Sequence, residues 1–280
     1  MTARPPAASA ELALLLEVAG TPKPGNVDRH RDLNGLRFEH FLAGAVGARP
    51  GLNAAASGEP VGVAFERSIA GMAEQEGGNT QFGALLLLVP LVRATTDGSV
   101  TREDAAQIVE ATSVDDAVAF YRAFDHVDVF VGDPPEDAPA LDVRRGSAAV
   151  PAVRERDVTL TDVMALSVPG DGVAAEWVGG FERSFRAAQS ILEAEGSVLD
   201  RAADAFLGLL AETPDTLVAK QHGEEVASSV TQRAGALREA SLAEREAFAD
   251  DLVERGINPG TTADVTAAAL YVALLRGVAV

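Results

Sequence analysis

"FGALLLLVPLVRA", residues 82–94, has no polar position before Arg93. Wound as a helix, it is apolar on every side, and such a helix belongs in the middle of a protein with other elements packed around it. Its longest apolar run, "ALLLLVPLV" at 84–92, is too short for a bilayer, which takes about 20 residues to cross. What surrounds it is also helical in pattern. Apolar residues three and four apart recur at 10–19, in "FEHFLAGAVGA" at 38–48 and in "VAFERSIAGMAEQ" at 63–75. Thr101 and Ser113 each stand before an acid-led run, the signature of a capped helix start. Further helices are expected at 175–194, 198–211, 215–230, 241–255 and 262–276. Only "VDVFV" at 127–131 alternates like a strand, and it has no partner. The reading is all-α: a single compact multi-helix domain over 1–280, with 1–9 as a flexible tail and 125–160 as an irregular surface excursion rich in Pro, Gly and mixed charge.

Composition limits what such a domain does. The chain has 280 residues, 47% of them hydrophobic, which is enough for a large core. Its 42 acids against 23 bases give a formal charge of −19, and Lys23 and Lys220 are its two lysines. An acidic, lysine-poor surface suits a protein hydrated in high salt, as in halophiles; a GC-rich genome gives a similar bias. Nucleic-acid binding would need a basic face. With no cysteine, disulfides, thiolate catalysis and Cys-ligated zinc are excluded. The first 20 residues read as a tail and a helix, without the pattern of a signal peptide, so a cytoplasmic location with no membrane partner is expected. A homo-oligomer is left open.

In a helical scaffold, chemistry belongs where helices break, and four breaks combine Gly or Pro with phosphate- or metal-binding side chains. In "TPKPGNVDRHRD" at 21–32, Pro22 and Pro24 stiffen the chain on both sides of Lys23. Asp28, His30 and Asp32 share a face if extended; Asp28 and Asp32 share one if helical. Either way two carboxylates can meet, which suits Mg²⁺ beside substrate phosphates. The bland alternative is a solvated turn. In "EQEGGNTQFG" at 74–83, Asn79 or Thr80 caps the central helix and makes an anion site with Gln81 nearby. In "TPDTLVAKQHGEE" at 213–225, Asp215 caps a helix bearing Lys220, whose charge would equally suit a helix C-terminus. In "GINPGTTADV" at 256–265, a turn leads into an apolar helix with Asp264 in its first turn. Arg144 and Arg145 form either a phosphate clamp or a counterweight to local acids.

Taken in order, "EVAGTPKPGNVD", "HRDL", "GNTQFG", "DTLVAK" and "NPGTTADV" resemble the triphosphoribosyl-dephospho-coenzyme A synthase family over residues 11–275. The resemblance implies an all-α enzyme that moves the 5-triphosphoribosyl unit of ATP to a ribose hydroxyl of a dephospho-coenzyme A-like acceptor, releasing adenine. It implies ATP as substrate with Mg²⁺, bound by Lys23, Gly25, Asn79, Thr80, Gln81, Arg144, Arg145, Asp215, Lys220, Asn258 and Gly260. Asp28, Asp32 and Asp264 would be the metal carboxylates. Glu17, Asp28, His30 and Asp32 would be the catalytic set, with Glu17 or His30 as general base and a carboxylate facing oxocarbenium character at the anomeric carbon. Two departures mark a divergent branch. Gln81 replaces the histidine of the family's N-T-H-x-G, and Arg29 alone separates Asp28 from His30. The competing readings are a metal-dependent ADP-ribosyl or N-ribosyl hydrolase, and a nucleotide-binding helical protein without turnover.

Overall fold

The computed structural model describes residues 4–134 and 138–280. The helices are α1 (Pro6–Ala19), α2 (Phe38–Gly47), α3 (Arg49–Ala56), α4 (Val61–Met72), α5 (Phe82–Ala94), α6 (Arg102–Glu110), α7 (Val114–Ala123), α8 (Val150–Glu155), α9 (Leu160–Ser167), α10 (Gly172–Val178), α11 (Glu182–Glu193), α12 (Val198–Glu212), α13 (Thr216–His222), α14 (Glu224–Ala236), α15 (Leu242–Glu254) and α16 (Gly260–Leu275). The protein is all-α, and no strand occurs among the described residues.

The two helices without a polar face form the axis. Leu85, Leu87, Leu88, Val89 and Leu91 of α5 are fully buried, as are Ala268 to Ala273 of α16. α5 and α16 pack on each other and on α1, while α4, α7 and α11 close around them. Trp177 of α10 ties in from the side, its indole N–H donating to the Leu86 carbonyl at 3.0 Å. Phe65, Phe82, Phe120 and Phe124 form an aromatic knot at the end of α5, with centroids 4.9–6.4 Å apart. Each such edge or offset pair adds about 1 kcal/mol to the burial of its area. A second core, built on Phe206, Leu210, Val218, Phe248 and Leu252, joins α12 to α15 below. Thr101, Ser113, Thr159, Ser197 and Ser241 close reciprocal capping boxes with acids three residues on, so the sequence marks those helix starts locally.

The structure corrects four sequence expectations and agrees with the reading that "VDVFV" has no strand partner. α1 begins at Pro6 and buries Ala7 and Ser9, so the tail is shorter than 1–9; Met1–Ala3 lie outside the described residues. The run 175–194 is two helices, broken at Gly179–Gly180 and at Phe181, whose positive φ of 60° turns a fully buried ring into the core. The run 215–230 breaks at Gly223, where φ is 90°. "VDVFV" forms no ladder. The segment 125–160 contains two 3₁₀ turns, Pro139–Leu141 and Val143–Ala149, and α8; Pro135–Asp137 lie outside the described residues. No helix among the described residues is long and apolar enough to cross a membrane.

Candidate active site

A cavity of about 660 Å³ opens at the N-terminal ends of α5 and α16, and each of the four breaks supplies part of its wall. The apolar side is made by Phe120, Phe124, Val129, Phe130, Val131 and Met164. The polar side carries Glu17 and Asn26, Asn79 to Gln81, Lys220, Asn258 and Asp264.

The first break reaches the cavity indirectly. Lys23 is fully buried, its ammonium 2.5 Å from Glu17 Oε1 and 3.1 Å from Asn26 Oδ1, and 5.8 Å from the centre of the Phe206 ring. It does not line the cavity; Glu17, on the last turn of α1, does. The stiff loop therefore aims the lysine inward at a carboxylate. Gly25 makes the fit possible. Its φ is 72°, and a Cβ there would lie 2.1 Å from the Ile257 carbonyl. Asn26 Nδ2 then donates to Asn258 Oδ1 at 2.9 Å, joining residues 232 positions apart.

Asp28 and Asp32 do not converge. The chain makes two tight turns, Asp28–Arg31 and Leu33–Leu36, and is neither strand nor helix. Each aspartate serves its own turn, as short polar side chains do. Asp28 is buried and accepts from Thr21 Oγ1 at 2.7 Å, the Lys23 N–H at 3.2 Å, the His30 N–H at 2.8 Å and Arg31 Nη1 at 3.0 Å. Asp32 is exposed and accepts the Phe38 N–H ahead of α2 at 3.1 Å. His30 is exposed and off the cavity.

At the second break Asn79 Oδ1 caps α5 through the Phe82 N–H at 3.1 Å. Gln81 is buried, and its side-chain amide and the Thr80 hydroxyl have no partner among the described residues. At the third, Asp215 faces away from the cavity with its oxygens used up. One takes the Leu217 and Val218 N–H groups, the other the Thr262 N–H and hydroxyl, both at 2.7 Å, tying α13 to the start of α16. Lys220 does line the cavity, 2.5 Å from Asp171 Oδ2. At the fourth, Asn258, Gly260 and Asp264 all line it. Asp264 presses on the start of α5: a Cβ on Gly83 would lie 2.1 Å from Asp264 Oδ2.

Arg144 and Arg145 are exposed and off the cavity. Arg144 pairs with Asp142 at 2.7 Å and Asp133 at 3.1 Å, and Arg145 donates to the Ala140 carbonyl, so the pair balances local acids. Sequence reading missed Asp171, which caps α10 through the Val173 and Ala174 N–H groups and holds Lys220. Its signal was a fifth break, "PGDG" at 169–172. It also missed the apolar wall, which the alternating run 127–131 helps to build.

Six acids line the cavity: Glu17, Asp128, Asp133, Asp142, Asp171 and Asp264. Cations pair with four of them, Lys23 with Glu17, Arg144 with Asp133 and Asp142, and Lys220 with Asp171. Burial raises the Glu17 pKa above the ordinary carboxylate range, with the Lys23 ammonium opposing and Asp28 adding to the rise. Burial raises Asp264 further, helped by the charges of Glu17, Asp215 and Asp171 and opposed by the Ala84 N–H. No cation among the described residues pairs with Asp264. Nor do three His, Asp or Glu side chains among them gather as a metal site, so Asp28, Asp32 and Asp264 do not form one.

No protein of curated function matches the chain. The fold is similar to the crystal structure of a "putative triphosphoribosyl-dephospho-coA synthase" from Archaeoglobus fulgidus, with a TM-score of 0.70 and 28% identity over 86% of this chain and 99% of that one. Residues 3–279 match the CitG family, ATP:dephospho-CoA triphosphoribosyl transferase. With the four breaks meeting in one cavity and the match spanning nearly the whole length, the chain belongs to the CitG family and is a transferase that moves the triphosphoribosyl unit of ATP to dephospho-coenzyme A.

Proposed function

We propose that Glu17 and Asp264 divide the acid–base work of this transfer, and that ATP enters as its Mg²⁺ complex with the triphosphate beside Lys220. Of the six lining carboxyls, Glu17 pairs with Lys23, Asp133 and Asp142 with Arg144, and Asp171 with Lys220. No cation among the described lining residues is therefore left over for a bare triphosphate, while a metal-neutralised one needs less opposing charge. Mg²⁺ belongs here as part of the substrate, because it commonly binds through phosphates, waters and one or two carboxylates. Asn79, Thr80, Asn258 and the backbone at Gly260 supply uncharged contacts along the polar wall. The apolar wall suits the purine and the pantetheine arm of the acceptor. The acidic surface favours a cytoplasm of high salt as the working medium.

The observation that carries the acid–base assignment is a contrast between two carboxylates in one cavity. Glu17 has an ammonium 2.5 Å away, and Asp264 has none among the described residues. At the first, the Lys23 ammonium opposes the rise that burial causes, so Glu17 is the more readily ionised of the two and accepts the proton of the attacking hydroxyl. The second favours its protonated form and gives that proton to the departing adenine. The C1′–N9 bond breaks with its electron pair going to adenine, the acceptor oxygen bonds to C1′, and the Glu17 charge faces the oxocarbenium character between.

The test is adenine release from ATP, MgCl₂ and dephospho-coenzyme A in molar salt, followed against pH. Glu17→Gln removes the acidic limb of the rate profile and Asp264→Asn the alkaline limb, each lowering the rate about 10²- to 10⁴-fold. An acid with a raised folded pKa costs stability once pH exceeds the ordinary carboxylate range, and costs nothing below it, where folded and unfolded forms are both protonated. Asp264→Asn therefore raises Tm by a few degrees at neutral pH and leaves it unchanged near pH 3. Near-normal turnover in both variants, with both limbs intact, refutes the assignment.

A further inference from the structure

Gln81 is 4% exposed, stands at the N-terminal cap of the 13-residue α5, and leaves both atoms of its amide without a partner among the described residues. The adjoining Thr80 hydroxyl is likewise unpartnered. Buried polar groups are almost always paired, so an orphaned donor and acceptor on one side chain calls for a reason. Packing sets what lies around that amide. Gly44 of α2 lies against it; a Cβ there would sit 3.2 Å from Gln81 Oε1 and 2.6 Å from Thr80 Oγ1. The Gln81 N–H is spent on Met72 Sδ at 3.3 Å. Gln81 is among the residues that line the cavity, with Oε1 packed toward Gly44 and both amide atoms covered, so a ligand in the cavity meets the amide by a turn of that side chain toward it.

A carboxamide presents one donor and one acceptor side by side, and a ligand that satisfies it must present the reverse. Phosphate offers acceptors only. It would leave Oε1 unpaired and add negative charge near Asp264, which presses on Gly83 two residues along. A lone hydroxyl meets one atom well. The edge of adenine that carries the 6-amino group and N7 meets both, in the bidentate pairing that Asn and Gln make with adenine in DNA.

We propose that the Gln81 amide pairs with the N6/N7 edge of the adenine that ATP gives up, which makes Gln81 the residue that selects the donor base. The inference rests on the cavity being the transfer site. Nε2–H donates to N7 and Oε1 accepts from the 6-amino group. Which amide atom is oxygen is an assignment, and neither atom has a partner among the described residues, so either orientation of the amide is available. Hypoxanthine and guanine carry O6 in place of the amino group, so their edge is acceptor beside acceptor, and neither orientation satisfies it. A hydrogen bond at N7 also stabilises the departing base, and it adds to the proton that Asp264 supplies.

The experiment compares ATP, ITP and 7-deaza-ATP as donors, with dephospho-coenzyme A as acceptor, in wild type and in Gln81→Met. Wild type prefers ATP to ITP in kcat/KM by about 100-fold or more, since a site built to pair a polar edge rejects a base that lacks it. It also uses 7-deaza-ATP poorly. Gln81→Met lowers kcat/KM for ATP toward that for ITP, and the three donors then differ by a few-fold. The variant removes two unpaired buried atoms, so its Tm equals or exceeds that of wild type, and loss of selectivity is not loss of fold. A parallel arm replaces the adenine of dephospho-coenzyme A by hypoxanthine; if Gln81→Met changes discrimination there and not on the donor, the donor assignment is overturned. An ATP/ITP ratio unmoved by the substitution overturns it too. Absence of adenine release in wild type would instead refute the transfer-site reading.

Discussion

Lys23→Met separates two roles for the buried lysine, a ligand of phosphate and a partner of Glu17. At 2.5 Å the ammonium–carboxylate attraction is roughly 7 kcal/mol with an effective dielectric near 20. Much of that offsets the several kcal/mol needed to strip water from each ion. Removing the lysine leaves Glu17 buried without a counter-charge, at about 3–5 kcal/mol if it stays ionised. The carboxyl avoids part of that cost by taking up a proton, and in doing so it ceases to be a base. Three results follow. Tm falls by on the order of 10 °C. The acidic limb of the rate profile moves to higher pH, with kcat down about 100-fold at neutral pH. The KM for ATP stays within about threefold, because Lys23 is walled off from the cavity. The assay is adenine release from pH 5 to 9 in molar salt, with thermal melts on the same samples. Glu17→Gln/Lys23→Met, which removes both charges, recovers most of the lost stability. A large rise in KM for ATP with the limb unmoved, and a double variant no more stable than Lys23→Met, would refute the pairing argument and return Lys23 to the phosphates.

Gly25→Ala is expected to cost more than about 2 kcal/mol and most of the activity, because its Cβ meets the Ile257 carbonyl and pushes apart the two segments that Asn26 and Asn258 join; urea melts and adenine release check it. His30→Ala should retain turnover within about twofold, since the ring is exposed and off the cavity; a loss of 100-fold would restore it as the base. Chelating divalent ions with EDTA should abolish turnover while leaving the Tm of the nucleotide-free protein unchanged, because the described residues gather no metal site of their own.

Helix placement was largely local information. The apolar run 82–94, the capping boxes at Thr101, Ser113, Ser197 and Ser241, and the Gly and Pro of the four breaks each act through neighbours a few residues away, so a linear reading finds them. The two helix breaks it missed, at Phe181 and Gly223, depend on positive φ angles. The first follows Gly179–Gly180, a local break signal that the reading passed over, while the positive φ at the bulky, buried Phe181 is set by packing. Which polar group faces the cavity was decided by the tertiary structure alone. Asp28 and Glu17 are both buried acids near Lys23, yet one is consumed by its own turn and the other opens to the cavity. Asp215 and Asp264 both sit at helix starts, yet one is saturated by four donors and the other has no cation beside it. Spacing along a chain fixes what can share a helix face; it does not say which way a loop residue points. That choice is settled by contacts such as Gly25 on Ile257 and Asn26 on Asn258, between segments that only the packed helices bring together.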